Sequence, residues 1–288
     1  MPPLQDVVVA DLTLLLPGPY ASRELLRLGA RVVKIEPPGG DGLQQTAPGW
    51  YETLNAGKEI VRWDARAEAP PAVLAEADVV LESFRPGVWE RLGVELPPTT
   101  ILCSITGYGA AGPRAGHAGH DLNYLGYAGV LADTAPAVPP VQIADLAAGA
   151  QAATIAVLAA LLERQRTGAG GRTVLSLTHG SHALAAHRLT GEPVPRLLTG
   201  GAACYRLYET ADGRHLTVAA LEPRFWRRLC ELLERPDLLD RAFEPELPEL
   251  AELLRSRPLA HWLDLLEGEE TCVGPVLTLA EAARELGP

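Results

Sequence analysis

The residues of this sequence best suited to chemistry are an imidazole and a carboxylate near its middle. His120 stands in the stretch 119–124, and Asp145 follows 25 positions later, directly before a long apolar run. A base and an acid held at one small cavity are the minimum equipment for moving a proton on and off carbon. This pattern indicates proton transfer at an activated carbon if the fold brings the two side chains together.

Each of these residues also has a purely structural interpretation. A histidine in a Gly-rich loop often only shapes a turn, and an aspartate directly before a helix is a preferred N-cap. For Asp145 the two interpretations are compatible, because a helix N-terminus keeps a carboxylate ionised and its free N–H groups could receive an enolate oxygen. His117 has no motif around it and is interpreted as structural.

Composition describes a globular chain and excludes several classes of partner. The 288 residues are 47% hydrophobic and 21% charged, with a net charge of −11 and no basic block, which argues against nucleic acids and anionic membranes. The only lysines, Lys34 and Lys58, are interpreted as a trace of GC-rich coding bias. Four cysteines lie in apolar runs without metal-ligand spacing, which predicts buried free thiols in a reducing cytoplasm and no metal site: Cys103, Cys204, Cys230 and Cys272.

The elements that must position His120 and Asp145 alternate between strand and helix through residue 105. Strands are predicted at 6–12, 31–35, 60–64, 78–82 and 100–105, with helices between them, one of them at 69–77. The Pro- and Gly-rich stretch 37–42 is predicted to be a surface loop. This alternation predicts an α/β fold with a Rossmann-like parallel sheet.

The second half of the chain predicts one long helix and then a different kind of domain. The helix 146–166 is apolar on all sides until its last turn, which indicates a buried central element, although its apolar run 152–162 is too short to span a membrane. After a composition shift near residue 190, a hairpin and several helices follow. We therefore predict a large domain at 1–189 and a smaller α+β domain at 190–288.

One motif in the large domain is misleading. Residues 107–112 spell GxGxxG directly after a strand, as in a dinucleotide fingerprint. Such a fingerprint needs a helix that starts within it, so that the pyrophosphate meets the helix N-terminus. Here Pro113 and two further helix breakers follow, and the motif comes after the fourth clear strand rather than the first. We interpret it as a loop and place nicotinamide chemistry last among the alternatives.

Several stretches, in order along nearly the whole chain, resemble the family III CoA-transferase superfamily. They are Leu16–Ala21, Arg31–Asp41, Glu82–Gly93, Ser104–Pro113 and Leu161–Gly171. Within that superfamily, three more resemble the alpha-methylacyl-CoA racemase branch: Gly119–Tyr124, Ala211–Phe225 and Thr271–Leu277. The chain is shorter than this family leads us to expect, near 37–60, near 190 and at its end.

The resemblance implies roles for individual residues. His120 and Asp145 match the branch's catalytic pair, and Glu222 matches an acid that orients the catalytic histidine. Further matched positions would contact CoA or shape the pocket: Trp63, Asp64, Arg66, Arg85, Arg91, Asp121, Asn123 and Tyr124. Pro37 stands where the branch often has an arginine that contacts the adenosine phosphate, so this contact would differ.

The resemblance implies an acyl-CoA racemase that interconverts 2-methylacyl-CoA thioesters through an enolate, without a cofactor beyond the CoA of its substrate. The first alternative is a CoA transferase, in which Asp145 would form an anhydride with the acyl group. The second is a CoA-binding protein without activity. The family also implies an interlocked homodimer, and we expect a cytoplasmic location.

Overall fold

The computed structural model describes residues 1–193 and 196–287. By its internal contacts the chain divides into two compact units, Met1–Ala186 and His187–Pro288. The sequence predicts this division at 189/190. The candidate site residues, apart from Glu222, lie in the large unit.

The large unit is built on a six-stranded parallel sheet with strand order β3-β2-β1-β4-β5-β6. Its strands are β1 Val8–Leu12, β2 Arg31–Glu36, β3 Glu59–Arg62, β4 Val79–Glu82, β5 Ile101–Thr106 and β6 Gly171–Ser176. In this Rossmann order the chain reverses direction across the sheet between β1 and β4, and ligands of open α/β sheets bind in the crevice at the carboxyl ends of such strands. The predicted parallel α/β fold is confirmed.

The helices of this unit cover both faces of the sheet. They are α1 Pro17–Arg27, α2 Gly42–Thr46, α3 Pro48–Asn55, α4 Val73–Glu76, α5 Val88–Leu92, α6 Asp121–Ala128, α7 Ala152–Thr167 and α8 Leu177–Ala185. Strands buried on both faces are continuous apolar runs, and here β1, β4 and β5 supply side chains to two separate cores. The helix predicted at 69–77 is only the short α4.

The long apolar helix differs from its prediction in three ways. It starts at Ala144 with a π-helical segment, Ala144–Gln151, and continues as α7. Asp145 therefore lies inside the first turn and is not the N-cap, which is Ile143. One face packs against α1 and β5, whereas Ile155 and Leu162 on another face are 68% and 64% exposed.

The helical segment is also longer than predicted. Residues 144–167 form 24 continuous helical residues, and their most apolar stretch of 18 residues has a mean hydropathy of 1.7, which by length and composition alone would suffice to cross a membrane. In this fold the segment packs on the sheet of the large unit. It is therefore a sheet-packing helix with an apolar outer face.

The small unit contains a three-stranded antiparallel sheet, β7-β8-β9, at Tyr205–Glu209, His215–Ala219 and Val273–Pro275. Its longer helices are α9 Pro223–Leu232, α10 Pro248–Arg255, α11 Leu259–Leu266 and α12 Leu279–Leu286. The predicted hairpin is confirmed. One prediction about the cysteines is wrong: Cys103, Cys204 and Cys230 are buried, but Cys272 is exposed, with a φ of 52° at the start of β9.

Candidate active site

A cleft of about 480 Å³ lies at the carboxyl ends of β4 and β5. We call it the histidine cleft, because both His117 and His120 line it. Its wall also contains predicted residues from two separate segments: Arg85, which follows β4, and Asn123 with Tyr124 in α6. The strand ends of the sheet thus bring Arg85 to the same cleft as residues from the region around 120. His117, which was interpreted as structural from its sequence context, lines this cleft too.

The loop that delivers His120 is held by close aromatic packing. A Cβ on Gly107 would lie 2.5 Å from the Tyr124 ring, and one on Gly119 would lie 2.7 Å from the Tyr108 hydroxyl. Glycine at both positions lets these rings pack directly on the loop backbone. The Tyr124 hydroxyl donates to the Gly119 carbonyl at 2.5 Å. In the described chain no helix begins between 107 and 120, so the GxGxxG stretch is a loop, as predicted.

His120 is the N-cap residue of α6 and is exposed on the cleft side. Its backbone N–H donates to the Asn123 carboxamide oxygen at 3.0 Å, which is half of a capping box. Because the cap interaction uses the backbone of His120, it fixes the backbone while the ring lines the cleft. Asn123 therefore both anchors this residue and lines the cleft beside it.

A hydrogen bond joins the two candidate segments of the active site. The backbone N–H of Asp145 donates to Asp121 Oδ1 at 2.9 Å, across 24 positions of sequence. Asp121, the neighbour of His120, thereby ties the start of α6 to the first turn of the π-helical segment. π-Helical turns inside α-helices occur often at functional sites.

The surroundings of Asp145 also change its pKa. Burial, and then the negative charge of Asp121, raise the pKa of Asp145 to about 7. The sequence led us to expect the opposite, a carboxylate kept ionised by the helix dipole. Burial and the nearby charge of Asp145 also raise the pKa of Tyr124 to about 12. Asp145 is therefore a carboxyl group that exchanges its proton near neutral pH.

A second cleft, of about 390 Å³, lies across the switch point at the ends of β1, β2 and β3. We call it the tryptophan cleft. Trp63, Asp64 and Arg66 line it, as do Pro37 and Phe84, and Phe84 is shared with the histidine cleft. The predicted CoA contacts are thus divided between two adjoining clefts.

Three predicted residues of the large unit line neither cleft: Arg91, Asp121 and Asp145. Arg91 is an exposed residue of α5. Glu222 belongs to the small unit, where it is the N-cap residue of α9. The roles that the resemblance implies for Arg91 and Glu222 stay predictions.

A buried charged group that no sequence pattern indicated lies beneath the switch point. We call it the lysine cluster: Asp11, Lys34, Asp41 and Lys58, with the hydroxyls of Thr13 and Ser22. Both lysine side chains are fully enclosed, so their presence is better explained by this cluster than by coding bias. Asp41, predicted in a surface loop, is also fully buried. Partners that lie 7 to 47 positions apart leave no local signal.

The chemistry open to this site follows from the side chains that the structure places there. Among the described residues no group of three or more His, Cys, Asp or Glu side chains is placed to hold a metal ion. The histidine cleft offers the His120 imidazole and the Arg85 guanidinium. The hydrogen bond from Asp121 ties this cleft wall to the segment of Asp145, whose pKa is raised to about 7. These groups suit proton transfer or acyl transfer on a thioester.

Comparison with known proteins identifies what this chain is similar to. The model of the CoA-transferase family III matches residues 4–286. An acetyl-CoA:oxalate CoA-transferase of Acetobacter aceti is 30% identical over 98% of this chain and 82% of its own length. The alpha-methylacyl-CoA racemase of Mus musculus is 33% identical over 97% of this chain and 79% of its own.

Solved structures agree with these relatives. The structure of Rv3272 from Mycobacterium tuberculosis matches with a TM-score of 0.81 and 29% identity, over 98% of this chain and 85% of that one. A CAIB/BAIF family protein from Brucella suis matches with a TM-score of 0.82 and 26% identity, over 98% and 86%. The predicted family III fold is therefore confirmed, and the relatives include both racemases and transferases.

Proposed function

Because this chain belongs to the CoA-transferase family III, we propose that it is an acyl-CoA racemase, which interconverts 2-methylacyl-CoA thioesters or similar 2-substituted ones. The observation that carries the proposal is the hydrogen bond that ties Asp145 to the residue next to His120. Asp121 follows His120 directly and holds the Asp145 backbone at 2.9 Å, and the pKa of Asp145 is raised to about 7. A carboxyl group with this pKa can both give and take a proton at neutral pH.

The proposed reaction uses the pair in alternating roles. One group removes the α-proton of the thioester, whose negative charge moves onto the thioester oxygen as an enolate. The other group delivers a proton to the opposite face of the same carbon. The roles exchange when the substrate has the other configuration, so both hands are accepted and no cofactor beyond the substrate's own CoA is needed.

We further propose that CoA lies along the two adjoining clefts. Trp63 and Phe84 offer aromatic surfaces in the tryptophan cleft, and Arg66 offers a guanidinium at its wall. Arg85 offers a second guanidinium at the histidine cleft. Arginine pairs well with phosphate because its planar donors match the phosphate oxygens.

A CoA transferase is the second candidate, favoured by the relative from Acetobacter aceti. There the ionised Asp145 would attack the thioester carbonyl, the carbon–sulfur bond would break, and CoA would leave as a thiolate from an acyl anhydride. His120 in the stretch 119–124 has no necessary part in that chemistry. For this reason we place transfer second.

One experiment separates these functions. The protein is incubated with a 2-methylacyl-CoA in deuterated water, and deuterium uptake at the α-carbon is followed by mass spectrometry. We expect uptake in the parent protein and a loss of about 100-fold or more in His120→Ala and Asp145→Asn. His117→Ala is the matched control, since it removes an imidazole from the same cleft and should retain most of the uptake.

Other outcomes would contradict the proposal in distinct ways. No uptake, together with CoA movement to an added free acid, would replace the racemase by the transferase. Neither activity, with CoA binding retained in calorimetry, would indicate a CoA-binding protein without activity. Equal losses in the His117 and His120 variants would remove His120 from its assigned role.

We also propose a homodimer and a cytoplasmic location. The apolar outer face of α7, with Ile155 and Leu162, offers a surface that a second copy of the chain could cover. Charged substitutions at both positions should convert a dimer into a monomer in light scattering after size exclusion. A stable monomer in the unmodified protein would contradict the dimer.

A further inference from the structure

The loop between β1 and α1, residues 13–16, has an unusual backbone at Leu15. Its φ is 66°, a left-handed conformation that residues other than glycine seldom adopt. The Leu15 side chain is 44% exposed, so its own packing does not explain the conformation. Something else in the structure must hold this residue there.

A buried ion pair holds the loop backbone before and at that residue. Lys34 Nζ donates to the Thr13 carbonyl at 2.8 Å and lies 3.2 Å from Asp41 Oδ2. Asp41 in turn accepts the Leu15 N–H, at 3.0 and 3.2 Å to its two oxygens. Asp41 also caps α2 by accepting the Leu43 N–H at 3.0 Å. The pair thus fixes the backbone immediately before and at the left-handed residue.

The loop connects the tryptophan cleft to the segment that carries Asp145. Leu14 lines the tryptophan cleft. Leu16 is buried in a small apolar cluster with Leu43, and Leu146, the neighbour of Asp145, packs against that cluster. A change in the loop backbone would therefore move the wall of one cleft and the support of the candidate catalytic segment together.

We propose that Lys34 and Asp41 are positioning residues, which hold Leu15 in its left-handed conformation and so set the tryptophan cleft for the nucleotide part of CoA. This inference rests on the proposed function, because it takes CoA as the ligand. Neither side chain touches the ligand. They act through the loop. The left-handed conformation of Leu15 that they hold keeps the cleft wall rigid before CoA binds.

The test uses substitutions at Leu15 and at the pair. Leu15→Val should weaken CoA binding about tenfold, because β-branched residues resist the left-handed region. Leu15→Gly should bind CoA as the parent does, since glycine adopts this conformation without cost. Lys34→Met should also weaken binding about tenfold, and the double variant Lys34→Met/Leu15→Gly should recover part of it.

Two measurements are made on each variant: calorimetric binding of CoA, and hydrogen exchange of the amides at 13–16. We expect loss of protection in this loop and loss of CoA affinity to occur together. Lost protection with unchanged affinity, or Leu15→Val binding as well as Leu15→Gly, would overturn the inference. If Lys34→Met does not fold, the comparison of Leu15→Val with Leu15→Gly still tests the inference.

The proposed function can fail separately. If the parent protein does not bind CoA, the proposed function is wrong, and the exchange data alone then report whether the pair holds the loop. If the parent binds CoA and shows deuterium uptake but all Leu15 variants behave alike, only the positioning inference fails.

Discussion

The large unit buries carboxylates in two regions that treat them in opposite ways. In the lysine cluster, burial alone would raise the pKa of Asp11, but the ammonium groups of Lys34 and Lys58 and two hydroxyl donors hold it below its usual range. In the π-helical segment Ala144–Gln151, burial and then the charge of Asp121 act on Asp145, and its pKa rises to about 7. The presence of nearby cations therefore distinguishes Asp11, whose carboxylate is held ionised, from Asp145, whose carboxyl group exchanges a proton.

This difference shows where stability and chemistry are located. Asp11 accepts from Thr13 and Ser22 and faces Lys58 at 3.5 Å, so its charge is fully used in holding the fold. Asp145 lacks such a charge partner among the causes of its shift, which leaves its proton available. Sites with perturbed pKa values often cluster where catalysis occurs, and here the direction of the shift distinguishes the two regions.

The largest test removes a cation from the lysine cluster. Lys58→Met leaves Asp11 buried beside fewer positive charges, and we expect the free energy of unfolding to fall by about 3–5 kcal/mol. Urea denaturation at pH 7 measures this. The control is Arg31→Met, which breaks an exposed pair with Glu59 and should change the free energy of unfolding little. Similar losses in both variants would contradict the assigned role of the cluster.

The second test removes the ionisable carboxyl group of Asp145. The folded-state pKa of Asp145, about 7, lies above its usual value of 3.8, so the folded state binds a proton more tightly than the unfolded state. Stability is therefore lost as the pH rises from about 4 to 7. Asp145→Asn should escape this loss and be more stable by roughly 2–4 kcal/mol at pH 8, with the gain shrinking toward pH 4.

Thermal or urea unfolding of Asp145→Asn at pH 8 and pH 5 measures this dependence. Glu52→Gln is a suitable control, because it neutralises an exposed carboxylate on α3 and should change stability little at either pH. A variant that is equally stable to the parent at both values would mean that Asp145 is not a strained carboxylate. A substitution that increases stability and removes activity is typical of a functional site.

The smallest test sharpens the cause of the raised pKa. Asp121→Asn keeps an oxygen that can accept from the Asp145 N–H but removes the negative charge. We expect the pKa of Asp145 to fall while staying above its usual range, since burial is the larger cause. Carbon-13 NMR of the carboxyl groups, with Asp145→Asn for assignment, measures the shift. A pKa that returns fully to its ordinary value would make charge, and not burial, dominant.

Local patterns were enough to predict the sheet. Apolar β-branched runs identified the strands, and the spacing of helices between them predicted a parallel sheet. The position of His120 in a loop after β5 and its pairing with Asp145 came from the resemblance. The structure adds that Asp121, next to His120, reaches Asp145.

The features that sequence reasoning missed depend on distant contacts. Asp145 was expected to cap a helix, but its own N–H finds an acceptor on Asp121, so the helix extends back to Ala144. The outer face of α7 is apolar without being buried in this chain, which no periodicity within the helix could reveal. Lys34 and Asp41 are near in sequence, yet only the loop after β1 explains why both are buried.

The enclosure of both lysines has a consequence for a protein that handles reactive thioesters. Acyl-CoA compounds can acylate free amines, and an amine with a lowered pKa is a better nucleophile near neutral pH. Burial lowers the pKa of Lys58 to about 8, yet its side chain, like that of Lys34, is fully enclosed and faces carboxylates. While folded, the chain offers no lysine amine to the thioesters that we propose it binds, so its lysines are protected against acylation during turnover.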